Sequence, residues 1–486
     1  MKFRIVLVMS GVLLMTGALL MLGQQPTGVD IPGVIKEGEK PVIAVPDFRG
    51  AGDAQKAMDQ FNKTLWSELE GSGALKMAPK TLYPLAIPQQ PSDFRPPTVT
   101  TPVTRGAQPQ VIKNGPWLTD WSGPPVNAND LAIGYTVAQD GRLVLYGYLY
   151  NLSQSTVASA QLINKTYFGS LDNAGATLVA RQFAADILQQ FGAKSLLGSK
   201  IFFVSDRSGV KTLPNGSKFP MKEIWSMDYD GSNQKQLTFY KTTTTEPAVS
   251  PDGKLLAFVT YPQSTRNGVE VDGQPQIMMH SVETGRRLTF SNFVSSVVET
   301  PEFTPDGKRL LFSTTVDKDP QVCISDINGG NFQRISRIRA IEVSPKVNPR
   351  TGSEVLFISG RSGHQQLWRM NIDGSDPEML TTGEGDVANP SWRPDGQFVA
   401  FAWTRGYEPG NFNIFIMDMG KRVPIQLTHG MGRNENPSWA PDGIHLVFSS
   451  KQGRSTQLFT MLADGTHVQQ LTNAGNNLEP VWAKGN

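Results

Sequence analysis

Carboxylate, amide and hydroxyl side chains recur at one fixed place in the carboxy-terminal part of this sequence, directly before a series of regularly spaced prolines. The prolines are Pro247, Pro301, Pro345, Pro390, Pro437 and Pro480. The polar residues before them are Thr245, Glu246, Glu299, Thr300, Glu342, Asp386, Asn389, Glu435, Asn436 and Glu479. If the repeats close into a ring, these side chains meet at one opening, where they could bind a polypeptide or a cation. Solvated loop residues without a ligand are the alternative.

The sequence offers little for catalysis. No serine stands in a Gly-x-Ser-x-Gly motif, no phosphate-binding glycine loop occurs, and neither His-Glu-x-x-His nor a paired-cysteine spacing is present. The histidines occupy unrelated positions, and turn formation explains the aspartates of the recurring Pro-Asp-Gly triplets. We therefore predict that the chain is not an enzyme, and we assign no catalytic residue, cofactor or metal ligand.

The spacing of the prolines is roughly 45 residues, a period typical of β-propeller blades built from several short strands. The clearest copies read Pro-Ser-Trp-x-Pro-Asp-Gly, at 390–396 and 437–443. Each copy continues with an apolar run, an alternating strand and a Leu-Thr or Ile-Ser pair. Because proline, aspartate and glycine favour successive positions of a tight turn, the triplet links the first two strands of a blade. Six copies of the Leu-Thr-like ending predict an all-β propeller of six blades.

The phase of the repeat predicts how the ring closes. The first copy begins at a second strand, residues 201–205, whereas the chain ends on an unaccompanied first strand, residues 479–483. We expect the last strand to complete the first blade, because this arrangement leaves no sheet edge open at the junction. Trp482 should then lie beside the strand that begins at Ile201.

The chain before the propeller divides into three parts. Lys2 and Arg4 precede an uncharged apolar stretch over 5–22, which predicts a signal peptide at 1–23; an uncleaved membrane anchor is the alternative. The polar residues 24–40 indicate a mobile linker. Strand and helix patterns alternate over 41–195, where we predict a smaller α/β domain in front of the propeller at 196–486. Within this domain, the proline- and threonine-rich residues 84–129 are expected to form an extended surface loop.

Charge and cysteine content exclude some classes of protein. The 486 residues include 45 Lys and Arg against 43 Asp and Glu, a net charge of +2. No basic run is present, so we expect no nucleic-acid binding. The single cysteine, Cys323, cannot form an intramolecular disulfide, and its place in a predicted strand indicates a buried thiol.

The repeat resembles that of the TolB family, which belongs to the Tol-Pal system of Gram-negative cell envelopes. The shared pattern is Pro-x-Trp-x-Pro-Asp-Gly, an apolar strand, a third strand ending in Met-Asp/Asn-x-Asp-Gly, and Leu-Thr. The resemblance extends to Lys-Pro-Val-Ile-Ala-Val-Pro-Asp-Phe at 40–48 and Leu-Ala-Ile-Pro-Gln-Gln-Pro at 85–91. The stretch 94–113 and the long turns at 210–222 and 262–274 depart from the family pattern.

The resemblance implies a periplasmic, non-enzymatic scaffold that supports outer-membrane integrity and envelope constriction during division. The propeller opening, formed by the ten polar residues named above, would bind the lipoprotein Pal. The amino-terminal segment 24–40, with Val29, Asp30, Ile31, Val34 and Ile35, would bind the inner-membrane protein TolA when released from the body of the protein. The two events would be coupled as alternative states. The resemblance thus replaces the linker interpretation of 24–40, and it implies a monomer that meets membranes only through its partners.

Two other readings remain open from the sequence. Similar repeats accompany the α/β-hydrolase domain of serine peptidases, but that domain and its nucleophile motif are missing from this sequence. A secreted propeller that binds peptide or carbohydrate, stabilised by a cation, would also fit the nearly neutral charge.

Overall fold

The computed structural model describes residues 31–36, 38–100, 110–212, 216–266, 269–291, 297–406 and 410–485. The predicted signal peptide lies outside these residues, as do Val29 and Asp30. Within the described ranges, none of the helices has the length and apolar character needed to cross a membrane.

Six four-stranded antiparallel sheets, here called blades 1 to 6, confirm the predicted six-bladed propeller. From the central strand outward, blade 1 contains Asn477–Ala483, Lys200–Ser205, Glu223–Asp228 and Lys235–Gln236. Blade 2 contains Thr244–Val249, Leu255–Thr260, Gln276–Ser281 and Arg287–Leu288. Blade 3 contains Val298–Phe303, Arg309–Val316, Asp319–Asp326 and Gln333–Arg334. Blade 4 contains Glu342–Val347, Glu354–Ser362, His364–Asn371 and Glu378–Met379. Blade 5 contains Val387–Trp392, Phe398–Trp403, Asn413–Asp418 and Pro424–Gln426. Blade 6 contains Arg433–Trp439, His445–Gln452, Ser455–Leu462 and Gln469–Gln470.

The ring closes as the phase of the repeat predicts. The last strand, Asn477–Ala483, pairs antiparallel with Lys200–Ser205, and Trp482 lies opposite Ile201. The central strands of neighbouring blades contact one another around the whole ring. The first blade is therefore built from both ends of the propeller sequence, which leaves no open sheet edge at the junction.

The second strand of every blade carries a phenylalanine at its centre. These residues are Phe203, Phe258, Phe312, Phe357, Phe401 and Phe448, all fully buried. Because successive strand residues face opposite sides of a sheet, one aromatic ring per blade enters each layer between blades. Cys323 lies in blade 3 and is also fully buried, and burial raises the pKa of its thiol to about 12.

The Leu-Thr endings connect the outer strand of a blade to its third strand. The Thr381 hydroxyl accepts a hydrogen bond from the backbone N–H of Leu367 at 2.9 Å and donates to Gln366 Oε1 at 2.7 Å. Blade 6 repeats this arrangement with Thr472, Leu458 and Gln457. Since a buried hydroxyl needs partners for its donor and its acceptor, the motif contributes to packing in the outer part of a blade.

The Pro-Asp-Gly triplets form the turns between first and second strands. Asp252 Oδ1 accepts a hydrogen bond from the backbone N–H of Lys254 at 3.1 Å, and Asp395 Oδ1 accepts one from Gln397 at 2.9 Å. Gly253 follows with a positive φ of 73°. The carboxylates of these triplets thus stabilise turns, as their sequence context indicates.

The amino-terminal domain is a mixed sheet with two helices on one face. Its strand order is Lys76–Met77, Val42–Ala44, Asp130–Gln139, Arg142–Asn151 and Gln161–Ser170, and Arg49–Ala51 also pairs with Asp130–Gln139. The first two pairings of this order and the pairing of Arg49–Ala51 are parallel, and the last two pairings of the order are antiparallel. Helices Met58–Gly71 and Asn173–Gln190 pack on one face through Phe61, Leu65, Val179 and Phe183. Leu178 is 44% exposed, because Val179 takes the inward position on this helix.

The other face of the sheet is covered by the proline- and threonine-rich segment, so the expectation of an extended surface loop at 84–129 is only partly correct. Phe94, Leu118 and Trp121 pack with Tyr150 in a second core, and Trp121 is completely buried. The segment also contains the short helix Thr119–Ser122 and an exposed hairpin of Thr98–Thr100 and Gln110–Ile112. The few apolar residues of this segment therefore cover a sheet face that would otherwise be exposed.

Candidate functional site

Six residues immediately before the leading prolines form a ring in the channel of the propeller. They are Glu246, Thr300, Ser344, Asn389, Asn436 and Glu479, and we call them the channel ring. Each has a left-handed backbone, with φ between 51° and 57°, at the β-bulge of its central strand. A bulge adds a residue to one strand and changes the direction of its side chain. Left-handed conformations are uncommon outside glycine, so six equivalent copies indicate a feature that the propeller maintains.

The channel ring lines one end of a cavity of about 490 Å³. Prolines of the turns between first and second strands line the other end: Pro251, Pro305, Pro349, Pro394 and Pro441. Lys346 and Glu302 also line the cavity and form an ion pair at 2.7 Å. The cavity therefore combines an apolar proline rim with polar and charged groups toward its inner end.

Hydrogen bonds connect consecutive members of the channel ring. Glu479 Oε2 accepts from the backbone N–H of Glu246 at 2.6 Å, and Glu246 Oε2 accepts from that of Thr300 at 2.6 Å. The Thr300 hydroxyl accepts from the backbone N–H of Ser344 at 3.2 Å. Each side chain thus fixes the bulge of the next blade, so this part of the ring is a connected polar network.

The two carboxyls of the ring lie close together and away from water. Burial, followed by the charge of Glu479, raises the pKa of Glu246 to about 8. Burial also raises the pKa of Glu479. Because two neighbouring carboxylates with little solvent do not ionise together easily, the pair retains a proton near neutral pH.

Replacement of Glu246 by glutamine is expected to stabilise the fold at pH 8 by about 2 kcal/mol and to have little effect at pH 5. The folded-state pKa is raised, so the stability linked to this carboxyl is present below its ordinary value of 4.5 and is lost as the pH rises through about 8. Glutamine keeps an oxygen for the Thr300 N–H but never ionises. Denaturant unfolding at both pH values measures the difference, with the exposed Glu384→Gln as control. A variant that loses more stability at pH 8 than at pH 5 would contradict the burial argument.

The structure divides the ten polar residues predicted to line the opening. Those that line the cavity are Glu246, Thr300, Asn389, Asn436 and Glu479. Three others directly precede a member of the channel ring and lie in the regularly paired part of their central strands: Thr245, Glu299 and Glu435. Burial raises the pKa of Glu299, and Glu435 forms an ion pair with Arg433 at 2.6 Å. Asp386 is half-exposed and lies 3.4 Å from His364.

The expectation that Glu342 faces the opening is wrong. Its side chain is fully buried, accepts a hydrogen bond from Ser359 Oγ at 2.9 Å and forms an ion pair with Arg361. Glu342 lies before the bulge, opposite Ser359, so it packs inside blade 4. Ser344, directly before Pro345, takes the place in the channel ring. The shared pre-proline position was the signal that could have identified Ser344.

Residues 31–36 of the amino-terminal segment pack against both domains. Ile31 is 3% exposed and, with Val34, belongs to an apolar cluster between blades 5 and 6 that includes Trp439. The guanidinium of Arg393 donates a hydrogen bond to the carbonyl of Pro32. Ile35 packs instead against the core of the α/β domain. These contacts therefore hold residues 31–36 in a docked position.

The α/β domain contacts blades 6 and 1 on the side of the Pro-Asp-Gly turns. His445 Nε2 lies 2.9 Å from the carbonyl oxygen of Gly71, at the end of helix Met58–Gly71. Tyr229 donates a hydrogen bond to Glu68 Oε1 at 2.6 Å. Arg181 forms ion pairs with Glu68 and with the blade 1 turn at Asp230. Polar contacts thus fix the two domains next to the docked segment.

Within the described ranges, no group of three or more His, Cys, Asp or Glu side chains is placed to hold a metal ion. The channel ring instead brings together carboxyl, amide and hydroxyl groups at a cavity. Such groups can accept hydrogen bonds from peptide N–H groups and from basic side chains.

The fold defines the class of protein as a six-bladed β-propeller that follows a smaller α/β domain. The family profile described as "TolB beta propeller domain" matches residues 188–482, more than half of the chain. The chain therefore belongs to the TolB β-propeller family.

Individual relatives agree with this assignment. The chain is 29% identical over 231 residues to the "Protein TolB homolog" of Chlorobium chlorochromatii, a match that covers 47% of this chain and 46% of the relative. It is 28% identical over 248 residues to the "Protein TolB homolog" of Chlorobium luteolum, covering 51% and 50%. The chain thus spans about half the length of the curated relatives it matches.

A solved structure shares the fold over both domains. The crystal structure of TolB from Acinetobacter baumannii superposes with a TM-score of 0.70 and 19% sequence identity, covering 92% of this chain and 97% of that one. The match extends beyond the propeller, so the shared fold includes the amino-terminal domain.

Proposed function

We propose that this chain is a periplasmic, non-enzymatic scaffold of the Tol-Pal system. It binds a Pal-like lipoprotein at the propeller opening and a TolA-like inner-membrane protein through residues 24–40. Membership of the TolB family supports this proposal, and the polar channel ring is the observation that carries it. A rigid ring of hydrogen-bonding groups at a cavity is suited to receiving a polypeptide without chemical change.

The docked amino-terminal segment supports the second half of the proposal. Two apolar anchors, Ile31 and Val34, hold it against blades 5 and 6. Burial of an aliphatic side chain contributes about 2 kcal/mol, so anchors of this kind oppose release by only a few kcal/mol. A partner that binds the released segment more tightly than the body does can shift this equilibrium.

Affinity capture from envelope extracts tests both partners. The full chain is expected to recover a Pal-like lipoprotein and a TolA-like protein, whereas a chain without residues 24–40 should recover only the former. Recovery is measured by mass spectrometry of the captured proteins. Failure of both forms to capture either partner would contradict the proposed function.

A variant outside the segment separates docking from direct recognition. Ile444 lies beside Gly33 of the segment, so Ile444→Ser should loosen docking without changing the segment itself. We expect this variant to recover several times more of the TolA-like protein, because the released state is more populated. Unchanged recovery would show that docking does not limit access to residues 24–40.

A further inference from the structure

A second polar cavity lies on the flank of the propeller between blades 3 and 4, away from the channel. Its volume is about 660 Å³. Its lining residues are Arg309, Ile324, Gln333, Arg334, Ile335, Arg337, Ile372 and Asp373. We call it the flank cleft. Nothing in the proposed function uses it.

Two guanidinium groups in the flank cleft are available to bind a ligand. Arg309 and Arg337 are exposed, and neither side chain has a hydrogen-bond or ion-pair partner among the described residues. Arg334 differs, because its guanidinium donates to Ser336, Asp317 and Gln321. The Arg309 charge also acts on the nearby exposed Asp306, without a hydrogen bond or ion pair between the two described side chains. The cleft thus contains two guanidiniums without a bound partner beside one that is already satisfied.

The repeat shows that this pair of arginines is specific to blade 3. The residues at the position of Arg309 in the other blades are Lys200, Leu255, Glu354, Phe398 and His445. The residues at the position of Arg337, one after the Leu-Thr-like pair, are Phe239, Phe290, Thr382, His429 and Asn473. No other blade has an arginine at either position, so propeller packing does not require them.

Three isoleucines form the apolar part of the flank cleft. Ile324 and Ile335 are 4% and 7% exposed, and Ile372 is half-buried beside them. Gly374, with φ of 88°, brings the turn of blade 4 so close to Ile335 that an added Cβ would lie 2.2 Å from its carbonyl oxygen. Only glycine permits this approach, which fixes the wall between the two blades.

Asp373 is the acidic residue among those that line the flank cleft. The Asp373 carboxylate accepts hydrogen bonds from the Ser375 backbone N–H at 2.9 Å and from its hydroxyl at 2.7 Å. Since Oδ1 accepts both bonds, Oδ2 remains able to accept from a peptide N–H group, and Gln333 adds an amide. The cleft therefore contains both hydrogen-bond donors and hydrogen-bond acceptors, and its net charge is positive.

We propose that the flank cleft binds a carboxylate-bearing segment of an otherwise apolar polypeptide. The two guanidiniums bind the carboxylate, which is either an acidic side chain or a chain terminus. The three isoleucines contact the apolar neighbours, and the amide and carboxylate at the rim bind the peptide backbone. A bare inorganic anion would leave the apolar walls unused. A lipid surface fits less well, because the isoleucines lie within a concave site instead of projecting from it.

Three acetylated hexapeptides of identical serine and isoleucine composition test the proposal. The first peptide has a central glutamate and an amidated carboxyl end. The second has glutamine in place of the glutamate and the same amidated end, so it is neutral. The third has glutamine and a free terminal carboxylate. We expect at least one carboxylate peptide to bind at least about tenfold more tightly than the neutral peptide. Calorimetry measures the affinities, and the preferred peptide identifies the source of the carboxylate.

Variants of the full chain link binding to the flank cleft. The double variant R309Q/R337Q should bind the carboxylate peptides about tenfold more weakly than the parent. The control variant Arg286→Gln, at an exposed position of blade 2, should leave the affinity unchanged. The melting temperature of the double variant should equal that of the parent, because both side chains are exposed. Equal binding of all three peptides would overturn the proposal. The proposal would also be overturned if the double variant bound the carboxylate peptides as tightly as the parent does. It would be overturned as well if the chain bound phosphatidylglycerol vesicles and none of the peptides.

Discussion

Removal of residues 477–486 is expected to unfold the propeller as a whole, not only its last strand. These residues supply the central strand of blade 1, which pairs with Lys200–Ser205 and contacts the central strands of blades 2 and 6. Trp482 is 6% exposed, and its indole N–H donates to Ser199 Oγ at 3.0 Å. Loss of these contacts should cost on the order of 5 kcal/mol or more, which is comparable with the whole stability of a typical domain.

Thermal unfolding followed by circular dichroism measures this effect. The truncated chain should lack the cooperative transition of the parent or show it at a much lower temperature. A control chain that lacks only Gly485 and Asn486 keeps the entire last strand and should unfold like the parent. A synthetic peptide of residues 475–486 should restore the transition if the gap in blade 1 is the cause. A truncated chain with the parent's transition would show that ring closure contributes little.

The repeat allowed the propeller and its closure to be predicted because its signals are local and occur six times. A turn triplet, an apolar run and a Leu-Thr pair each report on neighbouring residues, and Trp482 could be assigned to blade 1 from counting alone. The hairpin at Asp140-Gly141 was predictable for the same reason, since both residues have the positive φ that its two-residue turn requires.

The features that were missed depend on residues far away in the sequence. Glu342 and Ser344 both carry polar side chains shortly before Pro345, and it is the bulge of the strand that turns Ser344, the residue directly before the proline, toward the channel. Trp121 stands in a stretch poor in apolar residues, and its burial depends on a sheet face formed by other segments. Periodicity alone likewise indicates a linker around Ile31, and its burial depends on the distant cluster at Trp439.

The flank cleft and the domain interface illustrate how one repeat position acquires different roles. The residue that begins the second strand is Arg309 in blade 3, where it is exposed at a cavity. In blade 6 the equivalent residue is His445, which meets the amino-terminal domain. A periodic sequence therefore fixes the scaffold, whereas departures from the period indicate where an individual blade contacts something else.

Replacement of His445 by glutamine is expected to destabilise the protein by about 3 kcal/mol at pH 6, because it removes one member of a buried ion pair. His445 Nδ1 lies 2.6 Å from Asp442 Oδ2, and Nε2 lies 2.9 Å from the Gly71 carbonyl oxygen. Both partners are acceptors, so both ring nitrogens donate and the imidazole is protonated. A cation at the carboxyl end of helix Met58–Gly71 is also favoured by the helix dipole.

The pH dependence gives this prediction a definite sign. Burial lowers the pKa of His445, but the charge and hydrogen bond of Asp442 and the Gly71 carbonyl outweigh burial and raise it above its ordinary value of 6.5. Burial raises the pKa of Asp442, but the His445 charge and hydrogen bonds outweigh it and lower the pKa below 3.8. The histidine's contribution is therefore complete below pH 6.5 and is lost as the pH rises through the folded-state pKa, whereas that of Asp442 is lost in acid.

Denaturant unfolding of the parent and of His445→Gln between pH 5 and pH 10 tests the argument. The difference in unfolding free energy should be constant from pH 5 to pH 6 and should shrink in alkaline solution. The exposed pair of His364 and Asp386, with side chains 59% and 51% accessible, is the matched control. His364→Gln should change stability by less than about 1 kcal/mol, because solvent screens that pair. Two outcomes would contradict the argument: equal changes in unfolding free energy for the two variants, or a His445→Gln change that grows with pH. Either would show that the buried imidazolium does not join the two domains and that other contacts satisfy the Gly71 carbonyl.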